Sequence, residues 1–61
     1  MNINKTIQLA FEHYQQGNLH KAEYIYREIL KVQPDNVIAY CNLGIVLREF
    51  FSSQFLDEQE L

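Results

Sequence analysis

Sixty-one residues suffice for one small domain with a thin core, and a chain of this size buries only about 60% of its unfolded surface. Without disulfides or a metal, such a domain needs near-ideal helix packing or a partner. Five Lys/Arg against eight Asp/Glu give a formal charge of −3 with no basic cluster to offset it, which argues against nucleic acid as a partner. The longest apolar run, Val37 to Cys41, is five residues, far short of the roughly 18 or more of a membrane span. MNINKTIQ lacks a basic start followed by an apolar core, the pattern of a signal peptide. A lone Cys41 precludes an internal disulfide, in keeping with a reducing, cytoplasmic setting.

In chain order, Ile3, Ile7, Ala10, Phe11 and Tyr14 recur at steps of three and four and predict a helix over Ile3 to Gln16. Asn2 or Asn4 can cap its first amides, and Gly17 supplies a left-handed stop. The Gly17-Asn18 turn allows only an antiparallel return, with Asn18 as the next cap. A second helix is expected from Leu19 to Val32, with a buried stripe of Leu19, Ala22, Ile25, Tyr26, Ile29 and Leu30 and an outer pair Glu23/Arg27. Pro34 ends it, since proline lacks an amide hydrogen and disfavours helix at Gln33; Asp35 and Asn36 can cap the next helix.

The third helix begins near Val37 and is apolar almost all round, which calls for more than one neighbour. No Gly or Pro follows Phe51, so the helix either continues to about Asp57 or breaks at Ser52-Ser53. The stripe Leu47, Phe51, Phe55 favours continuation. The acidic end, Asp57, Glu58 and Glu60, reads as solvated, with 58–61 as a tail beyond the helix, and its charges oppose the dipole of any helix ending there.

Shifting the sequence on itself by 34 places pairs Leu9 with Leu43, Ala10 with Gly44 and Gln8 with Asn42. A helix pair with this period is a repeat unit unable to bury its own apolar face. Ala22, Tyr26 and Pro34 fit A-x3-F followed by P, and Tyr40-x2-Leu43-Gly44-x2-Leu47 fits W-x2-L-G-x2-Y. On these residues the chain resembles the tetratricopeptide repeat (TPR) family, with one full repeat over 3–36 and the first helix of a second over 37–57. The resemblance implies an all-α fold, a TPR-like antiparallel helical hairpin plus a third, longer helix, as a fragment of an α-solenoid forming a single domain over 1–61.

Three departures bear on this resemblance. Thr6 and His13 replace large residues, as in terminal repeats. Ile29 replaces a usual Ala, which would set the second and third helices slightly apart. Phe51 stands where a glycine like Gly17 should turn the chain, and Leu56 where Ala22 would recur, so the second repeat lacks its hairpin. Leu47, Phe50, Phe51, Phe55 and Leu56 are thereby candidates for self-association, with a homodimer about a two-fold axis the simplest outcome. Within one chain the alternative is that they fold back over the second helix.

The resemblance also implies a groove for protein or peptide partners lined by the first helix of each repeat. Position by position this is Gln8, Phe11 and Tyr14, with Asn42, Ile45 and Arg48, and Glu49 at its margin. Asn42 can hold a peptide backbone and Arg48 a carboxylate. Against this, Phe11 and Tyr14 also suit a core. Ile7 and Cys41 occupy places where the family's carboxylate clamp requires polar side chains.

No catalytic residues, cofactor or metal site is indicated. His13 and His20 with Glu12 and Glu23 do not make the three or four convergent ligands a metal requires. Cys41 reads as a small buried side chain with no base beside it. The expected function is a non-catalytic interaction or assembly module, self-associating through its C-terminal helix. The rivals are the N-terminal piece of a larger, transferase-like protein and, more remotely, a small enzyme or metal-binding protein. The non-repeat ending FFSSQFLDEQEL favours a natural terminus over a cut within a second repeat.

Overall fold

A computed structural model describes the backbone of residues 1–59 and the side chains of residues 1–52. Three helices, α1 (Ile3–Gln15), α2 (Leu19–Val32) and α3 (Val37–Gln59), form an antiparallel hairpin followed by a longer third helix, with no strand among the described residues. The molecule is all-α. Its extents of 44 × 21 × 13 Å describe a thin slab, lengthened by α3, which at 1.5 Å per residue spans about 35 Å.

Local chemistry sets each boundary. Asn2 sits in an extended conformation and its Oδ1 accepts from the Lys5 amide at 3.2 Å, so Asn2, not Asn4, caps α1. The other end closes at Gln16, where Gly17 takes φ +84°. The Gly17 amide donates to the Tyr14 carbonyl at 3.1 Å and the Asn18 amide to the His13 carbonyl at 2.8 Å, a full Schellman closure that satisfies two carbonyls left free by the helix end. Asn18 stands at the cap position of α2, but its side chain makes no cap bond. Instead its amide turns back across the tight turn toward His13 Nδ1 at 3.4 Å and donates to Gln16 Oε1 at 3.3 Å. Gln33 leaves the helical region at φ −129°, as the proline after it demands. Asn36 Oδ1 then accepts from the Ala39 amide at 2.9 Å and starts α3.

The core consists of Ala10 from α1; Ala22, Ile25, Tyr26 and Ile29 from α2; and Ala39, Leu43 and Val46 from α3. Ile3, Ile7, Tyr14, Leu19, Leu30, Leu47 and Phe50 pack around it, half-buried. The central helix α2 contacts both neighbours along its length, whereas α1 and α3 barely touch. Ala10 and Ala22 are fully buried, small side chains that let α1 and α2 approach closely, and Ile29 fills the interior. The outer pair forms as its spacing predicts, Arg27 to Glu23 at 3.0 Å, and Lys31 meets Glu28 at 2.7 Å. These are exposed pairs on α2, each worth only a few tenths of a kcal/mol.

Two expectations are corrected. Cys41 is exposed, because α3 carries its core residues at Ala39, Leu43 and Val46 and turns position 41 away from α2. The third helix extends through Gln59, past Asp57, so Glu58 belongs to it rather than to a tail. The side chains of Phe55, Leu56, Asp57 and Glu58 and the whole of Glu60 lie outside the described residues.

Candidate protein-binding groove

Because α1 and α3 both pack on α2 without closing on each other, a cleft remains between them with α2 as its floor. One depression of about 280 Å³ is lined by Phe11 and Tyr14 from α1, Tyr26 from α2, and Asn42, Ile45, Val46 and Arg48 from α3. A second, of about 480 Å³, adjoins it at Phe11 and Asn42 and is lined by Ile7, Gln8, Glu12 and Gln15 along α1. The first falls just below, and the second within, the range of about 300–1,000 Å³ for ligand sites. All six residues expected along the groove, Gln8, Phe11, Tyr14, Asn42, Ile45 and Arg48, line one or both depressions.

The lining is amphipathic. Phe11 is exposed and stacks on half-buried Tyr14 with centroids 6.0 Å apart at 29°, so the pair presents one aromatic surface. Ile45 is exposed opposite it. Around these apolar groups stand the Asn42 amide and the Arg48 guanidinium from α3, and the amides of Gln8 and Gln15 with the Glu12 carboxylate from α1. Glu49 is half-buried and lines neither depression.

The floor holds a group that sequence reasoning assigned only to the core. Tyr26 is 1% exposed, and its Oη is shielded from solvent without a hydrogen-bond partner among the described residues. Burial raises the pKa of this phenol, since the phenolate would lose its hydration; the neighbouring Asn42 amide pulls weakly the other way. Asn42 is thus near Oη, but the two do not meet with hydrogen-bond geometry. The legible sign was an aromatic on the second helix and an asparagine on the third, both on elements bordering the cleft.

The residues considered for self-association separate. Leu47 and Phe50 are half-buried on α2, where Phe50 lies against the His20 ring at 4.6 Å between centroids and 55°. With Phe51, Glu23 and His20 they line a shallow depression on the other side of the molecule. Phe51 itself is 68% exposed. Folding back over the second helix therefore describes Leu47 and Phe50, and leaves Phe51 free. His13 contacts Asn18 while His20 contacts Phe50, and no group of three His, Cys, Asp or Glu able to hold a metal occurs among the described residues. No helix among those residues is long and apolar enough to cross a membrane.

Comparison with protein-family models, with curated proteins and with solved structures gives no match to this chain.

Proposed function

We propose that the chain is a non-catalytic, TPR-type module of protein assembly that holds an extended peptide of a partner protein in the α1/α3 cleft and self-associates through α3. The observation that carries this reading is the cleft itself: an exposed aromatic and aliphatic surface, Phe11, Tyr14 and Ile45, flanked by one amide and one guanidinium on α3. Apolar surface supplies affinity, while Asn42 can bond both groups of a peptide unit and Arg48 an acidic side chain or terminus. The reading places the protein in the cytoplasm, with no cofactor and no enzymatic reaction of its own.

The test is selection of peptides from a random-sequence display library, followed by amide chemical-shift mapping of the selected peptide on the protein. Shifts should concentrate at Gln8, Phe11, Tyr14, Asn42, Ile45 and Arg48, and Arg48→Glu should weaken binding about tenfold or more, equivalent to about 1.4 kcal/mol. Shifts confined to the opposite side of α2, or no selectable peptide, would overturn the groove assignment.

A further inference from the structure

The 34-residue offset superimposes the two outer helices in sequence, and it reveals that the two ends of the stack are not alike. The α1 residues that pack on α2, namely Ile3, Ile7, Ala10 and Tyr14, correspond to Val37, Cys41, Gly44 and Arg48 on α3. On α1 all four are buried or half-buried; on α3 all four are exposed. In the reverse direction, the α3 residues facing α2, Ala39, Leu43, Val46 and Phe50, correspond to Lys5, Leu9 and Glu12 on the outward face of α1 and to Gln16 just past its end, all exposed. One end of the stack is therefore finished with a mostly polar face. The other ends on Val37, Tyr40, Cys41, Gly44 and Phe51, all exposed, with Arg48 at the border between this face and the cleft.

In a helical stack such a face is covered by the next antiparallel helix. Here Phe51 occupies the place where Gly17 turns the first hairpin, and α3 runs on to Gln59, so no return occurs at that point. We infer that a second copy of the chain covers this face, its α3 lying antiparallel across a two-fold axis that passes near Gly44. The inference rests on the reading of the chain as a self-associating repeat module and specifies the surface, orientation and register.

The register is self-complementary. With Gly44 at the axis, residues equally distant from it in sequence face each other, so Val37 meets the partner's Phe51, and Tyr40 meets the partner's Arg48. The first pair is apolar; the second sets a guanidinium against an aromatic ring. Gly44 lacks a side chain at the crossing, where the two backbones come closest, and an interaxial distance of about 8 Å becomes accessible. The helix dipoles follow the same geometry: the antiparallel arrangement sets the negative C-terminal end of one α3 toward the positive N-terminal end of the other, which a parallel arrangement would not do.

The area is enough for an association, though a modest one. Tyr40 and Phe51 are 56% and 68% exposed, and scaling from ring areas of roughly 150–250 Å² puts the described face at about 500 Å² per copy. A pair then buries about 1,000 Å², the lower limit of specific interfaces, which predicts a dimer that dissociates on dilution.

Gly44→Glu tests the face directly. A Cβ at Gly44 would meet nothing within 4 Å in the single chain, so the substitution leaves the protomer intact, and it replaces a poor helix former with a good one. Light scattering from about 1 μM to about 1 mM should show the wild-type mass doubling and the Gly44→Glu mass staying that of one chain, with circular dichroism reporting whether the variant is folded. A second measurement stands independently of that variant's folding. The Gly44→Cys/Cys41→Ser chain should oxidise in air largely to a disulfide-linked dimer, while Val32→Cys/Cys41→Ser, exposed but off the face, should not. A wild-type dimer that persists in Gly44→Glu, or cross-linking no better at position 44 than at 32, would overturn this face while leaving self-association standing. A wild-type chain monomeric throughout would overturn both.

Discussion

Replacing Tyr26 with Phe removes a single oxygen from the floor of the cleft, at a position with no hydrogen-bond partner among the described residues. A buried hydroxyl left unpaired carries a desolvation cost of about 1–3 kcal/mol, while the apolar ring of Phe fills the same space. Tyr26→Phe should therefore stabilise the chain, by about 0.5–1.5 kcal/mol once the small void left by the oxygen is counted. For a domain this small, each kcal/mol moves the midpoint of thermal unfolding by about 4–8 °C. Urea and thermal unfolding followed by circular dichroism at neutral pH, at one low protein concentration, would measure it. The neighbouring Asn42 supplies the control. If the phenol and the amide are not bonded, Tyr26→Phe and Asn42→Ala should have effects that add to within about 0.5 kcal/mol. A loss of stability in Tyr26→Phe, or a coupling between the two of about 1 kcal/mol or more, would refute the reasoning by showing that Asn42 holds the hydroxyl in solution.

Truncating Ile29, which is fully buried, should be the most damaging single change: about 2–5 kcal/mol from a total that scales to only about 3–9 kcal/mol for this length, seen as loss of the cooperative melt. The two asparagines at the helix starts should differ. Asn36→Ala removes a formed cap bond and should cost about 1 kcal/mol, whereas Asn18→Ala, which loses only weak polar contacts across a turn, should cost clearly less in the same denaturation assay. Alkaline titration should reveal the Tyr26 phenol. Burial raises its pKa in the folded chain, so its contribution is fully present below the unfolded value of about 10 and is lost as pH rises through the folded value. Between about pH 10 and the folded value, stability should fall less steeply with pH in Tyr26→Phe, and parallel curves would contradict the assignment.

Much of the fold was legible because the relevant forces are local. Pro34, Gly17 and the three- and four-residue spacing of Leu19 to Leu30 act within a few residues of themselves, and α2 begins and ends where those signals place it. Asn18 shows where local reading stops. Its type and position are those of a cap, yet the tight turn brings His13 and Gln16 within its reach, and these take the side chain away from the helix amides. Phe11 was ambiguous between core and groove for a related reason: its spacing puts it at the margin of the α1 stripe, and which side of that margin is covered depends on how far α3 stands from α1.

By itself, the sequence determined three helices, their order and antiparallel return, and the membership of the α2 stripe, since periodicity and turn chemistry are properties of neighbouring residues. On α3 it was nearly silent about direction, because a helix with apolar residues all round has no preferred side until something packs on it. Only the tertiary structure chose. Docking on α2 buried Ala39, Leu43 and Val46, exposed Cys41, Gly44 and Phe51, turned Asn42, Ile45 and Arg48 into the cleft, and carried the Tyr26 hydroxyl beneath them. That choice is made by the burial of one face of α3 against a single neighbour, and the faces it leaves open are the ones available for partners.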